Sequence, residues 1–187
     1  MKFNRCAWVT DDPLYIEYHD TEWGKANQLD NDEYLFELLT LESAQAGLSW
    51  LTILKKREGY HDCFLNFDIG KVSQMNHTDI ARLLKDDSII RHKQKIESVI
   101  NNAKVFMKNQ AKYGNFRSYI EEVLDVDLPI KNLWSSISEI PSQTTESVTL
   151  SKRMKKDGFK FIGPTTCYSF LQAAGFVNDH TKDCFLY

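Results

Sequence analysis

No apolar run in this chain approaches the roughly 20 residues that a membrane-spanning helix requires, so no membrane partner is expected. The opening stretch MKFNRCAWVTDDP turns polar before it could form the apolar centre of a secretory signal, which points to a cytoplasmic protein. Cysteine is scarce: Cys6, Cys63, Cys167 and Cys184 are the whole set. So few cysteines argue against a disulfide scaffold and read as free thiols or metal ligands. There is no internal repeat, no low-complexity linker and no alternation long enough to suggest a strand ladder. Neither charge sign dominates, since 23 basic residues face 26 acidic ones for a net charge of -3. That balance speaks against general stickiness towards polyanions and leaves any anion site to be local.

Hydrophobic residues make up 42% of the 187. That is enough to bury a core, so disorder is excluded and one domain over 1–187 is expected. The pattern is helical almost throughout. Asp30 with Glu33 predicts a capped helix running to about Ala46, with Gly47 as its stop. Ser49 caps WLTILKKRE, which is expected to end before Gly59. Thr78 is the expected cap of a short helix in NHTDIARLLKD. The segment IIRHKQKIESVINNAKVFMKNQAKYG reads as a long amphipathic helix with Gly114 beyond its end. FRSYIEEVL continues as helix and DVDLPIKNLW reads as loop. TESVTLSKRMKKDG closes at Gly158, and Pro164 opens a helix that ends at Gly175. The expected fold class is all-α.

Within this frame four features carry chemistry. The first is LESAQAGLSW. Leu35, Leu38, Leu39 and Glu42 share one helix face, so a carboxylate aims at the core, which is costly unless something pairs with it. Leu48, between a helix stop and a helix cap, suits either a hydrophobic staple onto Ile53 or an apolar wedge entering a base stack. The second feature is a set of ligands at the two ends. Cys6 and His19 lie near the start, and HTKDC places His180 and Cys184 one helical turn apart. Two thiolates and two imidazoles suit a closed structural zinc that ties residues 6–19 to 180–184; two buried thiols and two incidental histidines suit the spacing equally.

The third feature is uneven charge. Nine acids against Lys25 occupy residues 11 to 37, whereas Lys152, Arg153, Lys155, Lys156 and Lys160 oppose only Asp157 between 151 and 160. The fourth is SKRMKKDGFKFIGPTTCYSF, a helix, tight turn and helix over about 150–175. It has the layout of a helix-hairpin-helix that offers backbone N–H groups to a DNA phosphate. Phe161 stands where such turns commonly carry glycine, and Gly163 is the remaining one. An ordinary helical hairpin with a solvated basic face has the same pattern.

CAWVTDDPLYIEYHDTEWG, LESAQAGLSWLTILKKRE, IIRHKQKI and GFKFIGPTTCYSFLQAAGFVNDH, taken together, resemble the 3-methyladenine DNA glycosylase I family, the zinc-containing branch of the helix-hairpin-helix glycosylases. The likeness spans nearly the whole chain, although residues 105 to 148 carry little of it. It implies one Zn2+ per chain on Cys6, His19, His180 and Cys184. It implies a pocket for the damaged base made of Glu42, Tyr18, Trp50, Trp8 and, less centrally, Trp23. Leu48 takes the wedge role, while Lys160, Gly163 and Thr165 belong to the phosphate-binding hairpin. Ser43 departs from the glycine common after that glutamate. The implied activity is monofunctional excision of 3-methyladenine from alkylated double-stranded DNA by a monomer, with the free base as product and Glu42 as the recognising acid. Glu42 is expected to be ionised. Asp179 and Asp183 receive no catalytic role, being interleaved with two ligands. The alternative is a non-enzymatic, zinc-stabilised DNA-binding module in which the same aromatics are merely core.

Overall fold

Helices form where capping chemistry and apolar spacing coincide, as a computed structural model describing residues 4–187 shows. Residues 1–3, the beginning of the polar opening stretch, lie outside the described residues. The first helix, α1 (Pro13–Thr21), is absent from the expected elements because few of its residues are buried. Asp12 caps it by accepting from the Leu14 N–H, and Pro13 sits at its first position. Then α2 (Asp32–Gln45) starts one residue later than expected, because Asn31 is the cap in place of Asp30 and accepts from the Tyr34 N–H. Ser49 caps α3 (Trp50–Leu54) as expected, bonding the Thr52 N–H at 3.2 Å.

The expected stop at Gly59 is wrong. The chain breaks at Lys55–Lys56 and α4 (Arg57–Cys63) passes straight through Gly59. A Cβ there would meet the Ser88 backbone oxygen at 2.5 Å, so this glycine is a close-packing contact within the helix. After α5 (Ile69–Ser73) comes α6 (His77–Leu83), capped by Asn76 and Asp79 in a capping box, not by Thr78. Of the remaining helices, α7 (Lys93–Tyr113) starts four residues later than the expected Ile89, because His92 caps it by accepting from the Lys95 N–H, while α8 (Phe116–Leu124), α9 (Thr145–Asp157) and α10 (Pro164–Ala174) fall where the spacing puts them. Among the described residues there is one short strand pair. The expected loop DVDLPIKNLW contains β1 (Ile130–Lys131), which pairs in parallel with β2 (Val177–Asn178).

The apolar stripe on α2 understates its burial. Leu35, Leu38 and Leu39 are buried, but so are Phe36 and Leu41 on its other sides. This helix is the axis of the fold: α10, α7 and α3 all pack against it. Rings fill the space around it, with Phe106 and Phe116 stacked at 4.0 Å and Phe36 edge-on to Phe106. The link after α1 is drawn onto the end of α10, where the Gly24 N–H donates to the Gln172 carbonyl at 3.1 Å. Gly175, at φ +83°, lies so close to Lys25 that a Cβ would sit 2.4 Å from its carbonyl carbon. The two ends of the chain meet as well, through the Phe185 N–H donating to the Asn4 carbonyl at 2.9 Å.

Candidate active site and metal centre

Tyr18 from α1, which packs against α3, and Glu42 from α2 reach the same space. A cavity of about 380 Å³ lies there. Its walls are Trp8, Tyr15, Tyr18, Trp23 and Trp50, and Glu42 also lines it. Trp8 stands edge-on to Tyr15 at 5.6 Å and to Trp23 at 5.1 Å, while Tyr18 and Trp50 are 5.3 Å apart. Tyr15 holds the far side by accepting the Leu51 N–H at 3.1 Å. The Trp8 Nε1–H, the Tyr18 hydroxyl and the Trp50 Nε1–H are buried and have no protein partner. Three unpaired polar groups around one cavity are costly in a mere core and economical in a site that receives a polar ring.

Burial alone pushes the Glu42 carboxyl up to about 8. The proton is held more tightly because nothing cationic in the lining offsets the desolvation, so the expected carboxylate calls for a cationic group beside it. Burial, reinforced by the nearby Glu42, likewise keeps the Tyr18 hydroxyl protonated. Behind Tyr18 an ion-pair network fixes the helices. Arg57 grips Glu22 through two bonds of 2.7 and 2.9 Å and Glu37 through one of 2.6 Å, joining α1, α2 and α4.

Several lining residues carried no signal in the sequence. Gln45, Ser49, Ser169 and Gln172 add polar groups, and Ile137 and Ile140 close a wall from the stretch that resembled nothing. A second cleft of about 220 Å³ runs on from Glu42 and Gln45 past Ala46, Gly47 and Leu48 to Thr165, Thr166 and Ser169. Leu48 keeps 40% of its surface exposed. The hairpin between α9 and α10 stands at the far side of that cleft. Phe161 occupies its turn with φ +57°, the left-handed conformation that glycine tolerates best. Asn102 pins the turn, donating to the Lys160 carbonyl and accepting the Lys160 N–H. Gly163 precedes α10, and Lys160 and Thr165 are exposed beside it. Asp179 is fully buried and accepts from Asn132, Trp134, Gln172 and Tyr168, which makes it an anchor for the end of α10. Asp183 is exposed and bonded to Asn4.

Twelve residues of α1 and its approach separate Cys6 from His19, yet both reach His180 and Cys184. The four donor atoms lie within 4.8 Å of one another and all four residues are buried, so the group could hold a metal ion. Each imidazole is oriented by its other nitrogen: His19 Nδ1 bonds Asp20 at 2.8 Å and His180 Nε2 faces the Trp23 carbonyl at 3.2 Å. Asp20 is in turn held by Arg5. Burial pushes His180 down to about 4, leaving the neutral ring that a metal ligand requires.

A ring-walled slot that ends on an acid, joined by a cleft to a basic helical hairpin, is the layout of an enzyme that draws a base out of DNA. A family model described as methyladenine glycosylase matches residues 8–187, and the chain belongs to that family. It is 46% identical over 183 residues to DNA-3-methyladenine glycosylase 1 of Escherichia coli (strain K12), covering 98% of this chain and 96% of the relative. It is 43% identical over 180 residues to DNA-3-methyladenine glycosylase of Haemophilus influenzae, covering 96% of each. A solved structure described as the structural basis of 3-methyladenine recognition by 3-methyladenine DNA glycosylase I from Staphylococcus aureus superposes with a TM-score of 0.91 at 41% identity. It covers 98% of this chain and 96% of that one.

Proposed function

We propose that this chain is a monofunctional glycosylase that hydrolyses the N-glycosidic bond of 3-methyladenine in alkylated double-stranded DNA. The observation that carries it is the buried Glu42 in a cavity with three unpaired ring-borne donors. Family membership supports the substrate, since relatives at this identity bear that activity in their names. A flipped, methylated adenine is flat and cationic. Stacking on Trp50 contributes about 1 to 3 kcal/mol. The cationic ring drives Glu42 to its carboxylate, which then accepts hydrogen bonds from the amino-bearing edge. Neutral adenine offers no charge to offset that ionisation, and selection follows. Water adds to the sugar carbon, the glycosidic electron pair leaves with the base, and the base departs neutral. The water's proton passes to solvent.

No lysine is among the described residues lining the cavity, which supports the absence of strand cleavage. Leu48 fills the place of the flipped base, and Lys160, Gly163 and Thr165 hold a phosphate. Zinc fits Cys6, His19, His180 and Cys184. Tetrahedral zinc with bonds of about 2.3 Å to sulfur and 2.0–2.1 Å to nitrogen needs sulfur–nitrogen edges of about 3.5 Å. Three of the edges here, Cys6–His180, Cys184–His19 and Cys184–His180, are 3.4 to 3.5 Å. Four protein ligands leave no open position, so zinc would hold the ends of the chain together and leave the chemistry to the cavity. The reading is of a monomer that acts on DNA in the cytoplasm. The test is incubation with methylated duplex DNA, with zinc measured on the same sample. Release of 3-methyladenine without strand breakage is the expected result; intact methylated bases after prolonged incubation would return the chain to a binding module.

A further inference from the structure

Where α2 ends, its last carbonyls have no helical partner, and no basic residue sits in its own last turn. The missing partner comes from 49 residues further along the chain. Lys95, in the first turn of α7, donates from Nζ to the Ala44 carbonyl at 2.8 Å and to the Ala46 carbonyl at 2.7 Å. Its own backbone N–H is held by the capping His92 Nδ1 at 3.3 Å. The two carbonyls bracket Gln45, which, with Glu42 and Ser169, lines both the ring-walled cavity and the cleft towards the hairpin. Immediately beyond, Ala46 leaves the helix, Gly47 turns at φ +81°, and the Leu48 N–H closes onto the Gln45 carbonyl at 2.6 Å.

We infer that Lys95 is a positioning residue that sets the angle at which the chain leaves α2, and so aims Leu48 into the DNA. The inference rests on Leu48 as the wedge. Among the described residues three hydrogen bonds hold the near side of this tip, from Ala44 to Leu48, and Lys95 supplies two of them, while Ser49 on the far side is held by its own cap bonds to Thr52. With only the Leu48 bond left on its near side, the tip would rock about Gly47, where nothing lies within 4 Å of the place a Cβ would take. The lysine faces backbone carbonyls at the negative end of a helix, which spends its charge inside the protein. Its half-buried ammonium is engaged with carbonyls, unlike the exposed Lys155, Lys156 and Lys160 of the hairpin, and no phosphate is assigned to it. Glu42 lies a turn back, within the helical body of α2, so its place in the cavity does not depend on the clamp.

The test compares Lys95→Met, Leu48→Ala and the double variant in single-turnover excision from methylated duplex DNA, with affinity for free 3-methyladenine and the salt dependence of duplex binding measured alongside. Misaiming the wedge is expected to slow duplex excision about tenfold to a hundredfold in Lys95→Met. Free-base affinity stays within about twofold, and the salt slope does not change. Adding Lys95→Met to Leu48→Ala costs little further, because one acts through the other. Fully additive losses, a salt slope reduced by about one phosphate, or free-base affinity falling in step with excision would each overturn the inference. Lys95→Gln, too short to reach both carbonyls, repeats the measurement if Lys95→Met does not fold; failure of both to fold makes the residue merely structural and also overturns it. Leu48→Ala with undiminished excision removes the wedge and the inference together, whereas a wild-type protein that releases no base removes the proposed function itself.

Discussion

Glu42 is the residue on which the chemistry turns, and its burial gives it a pH signature. A carboxyl whose proton is held more tightly in the folded state contributes stability that is complete below its ordinary value near 4.5 and is lost as pH rises to about 8. Unliganded wild-type protein should therefore lose stability relative to Glu42→Gln across that window, by up to several kcal/mol. Thermal melts of the two proteins at pH 5 and pH 8 measure it. Parallel melting curves at both pH values would place the carboxyl in water. The ring walls make a separate expectation. Trp50→Ala should weaken free 3-methyladenine binding by about ten- to a hundredfold, as loss of 1 to 3 kcal/mol of stacking implies, read by calorimetry. Glu42 was visible in the sequence because an acid departs from its apolar stripe, whereas Trp50 read by itself as a core aromatic and took its pocket role only from the family resemblance. Ser169, Gln172 and Ile137 were not visible, because a serine or isoleucine on a helix or loop looks the same whether or not a cavity faces it.

At the scale of elements, the site exists because α1, α2 and α10 are brought into register at their ends. Gly175 is the tightest point of that register, with left-handed φ and the Lys25 backbone against its Cα. Gly175→Ala meets both obstacles and should cost about 2 to 4 kcal/mol, lowering the melting temperature by about 5 to 15 °C. Calorimetry decides it, and an unchanged melting point would mean that the link yields freely. Helix ends showed how far local rules reach. Ser49, Gly114, Gly158 and Pro164 act where capping chemistry puts them, because a cap satisfies its own neighbours. Gly59 misled, because its smallness answers to Ser88, a residue of another segment. Asn31 displaced Asp30 because several side chains in NQLDNDE could cap, and packing selected among them.

On the scale of the molecule, the first and last segments close on each other through Cys6, His19, His180 and Cys184. Trp8 and Trp23 stand against His19 and His180 in that closure, so a metal held there would be mechanically coupled to the cavity. Bound zinc contributes on the order of 10 kcal/mol to folding where it is structural. Stripping it with a strong chelator should lower the melting temperature by more than about 10 °C and abolish free-base binding, both restored on adding zinc. A stripped protein that melts and binds unchanged would reduce the four residues to bystanders. The amino-acid order alone settled the helical class, most helix ends and the acid on an apolar stripe. It left the convergence of Cys6, His19, His180 and Cys184 open beside a reading of incidental thiols and histidines. Each settled feature follows from spacing or capping over a few residues. The cavity, the parallel pairing of β1 with β2, the Asp179 anchor and the grip of Lys95 on α2 belong to the folded chain. They join residues tens to more than a hundred positions apart, and no local periodicity encodes which distant backbone will arrive to receive a hydrogen bond.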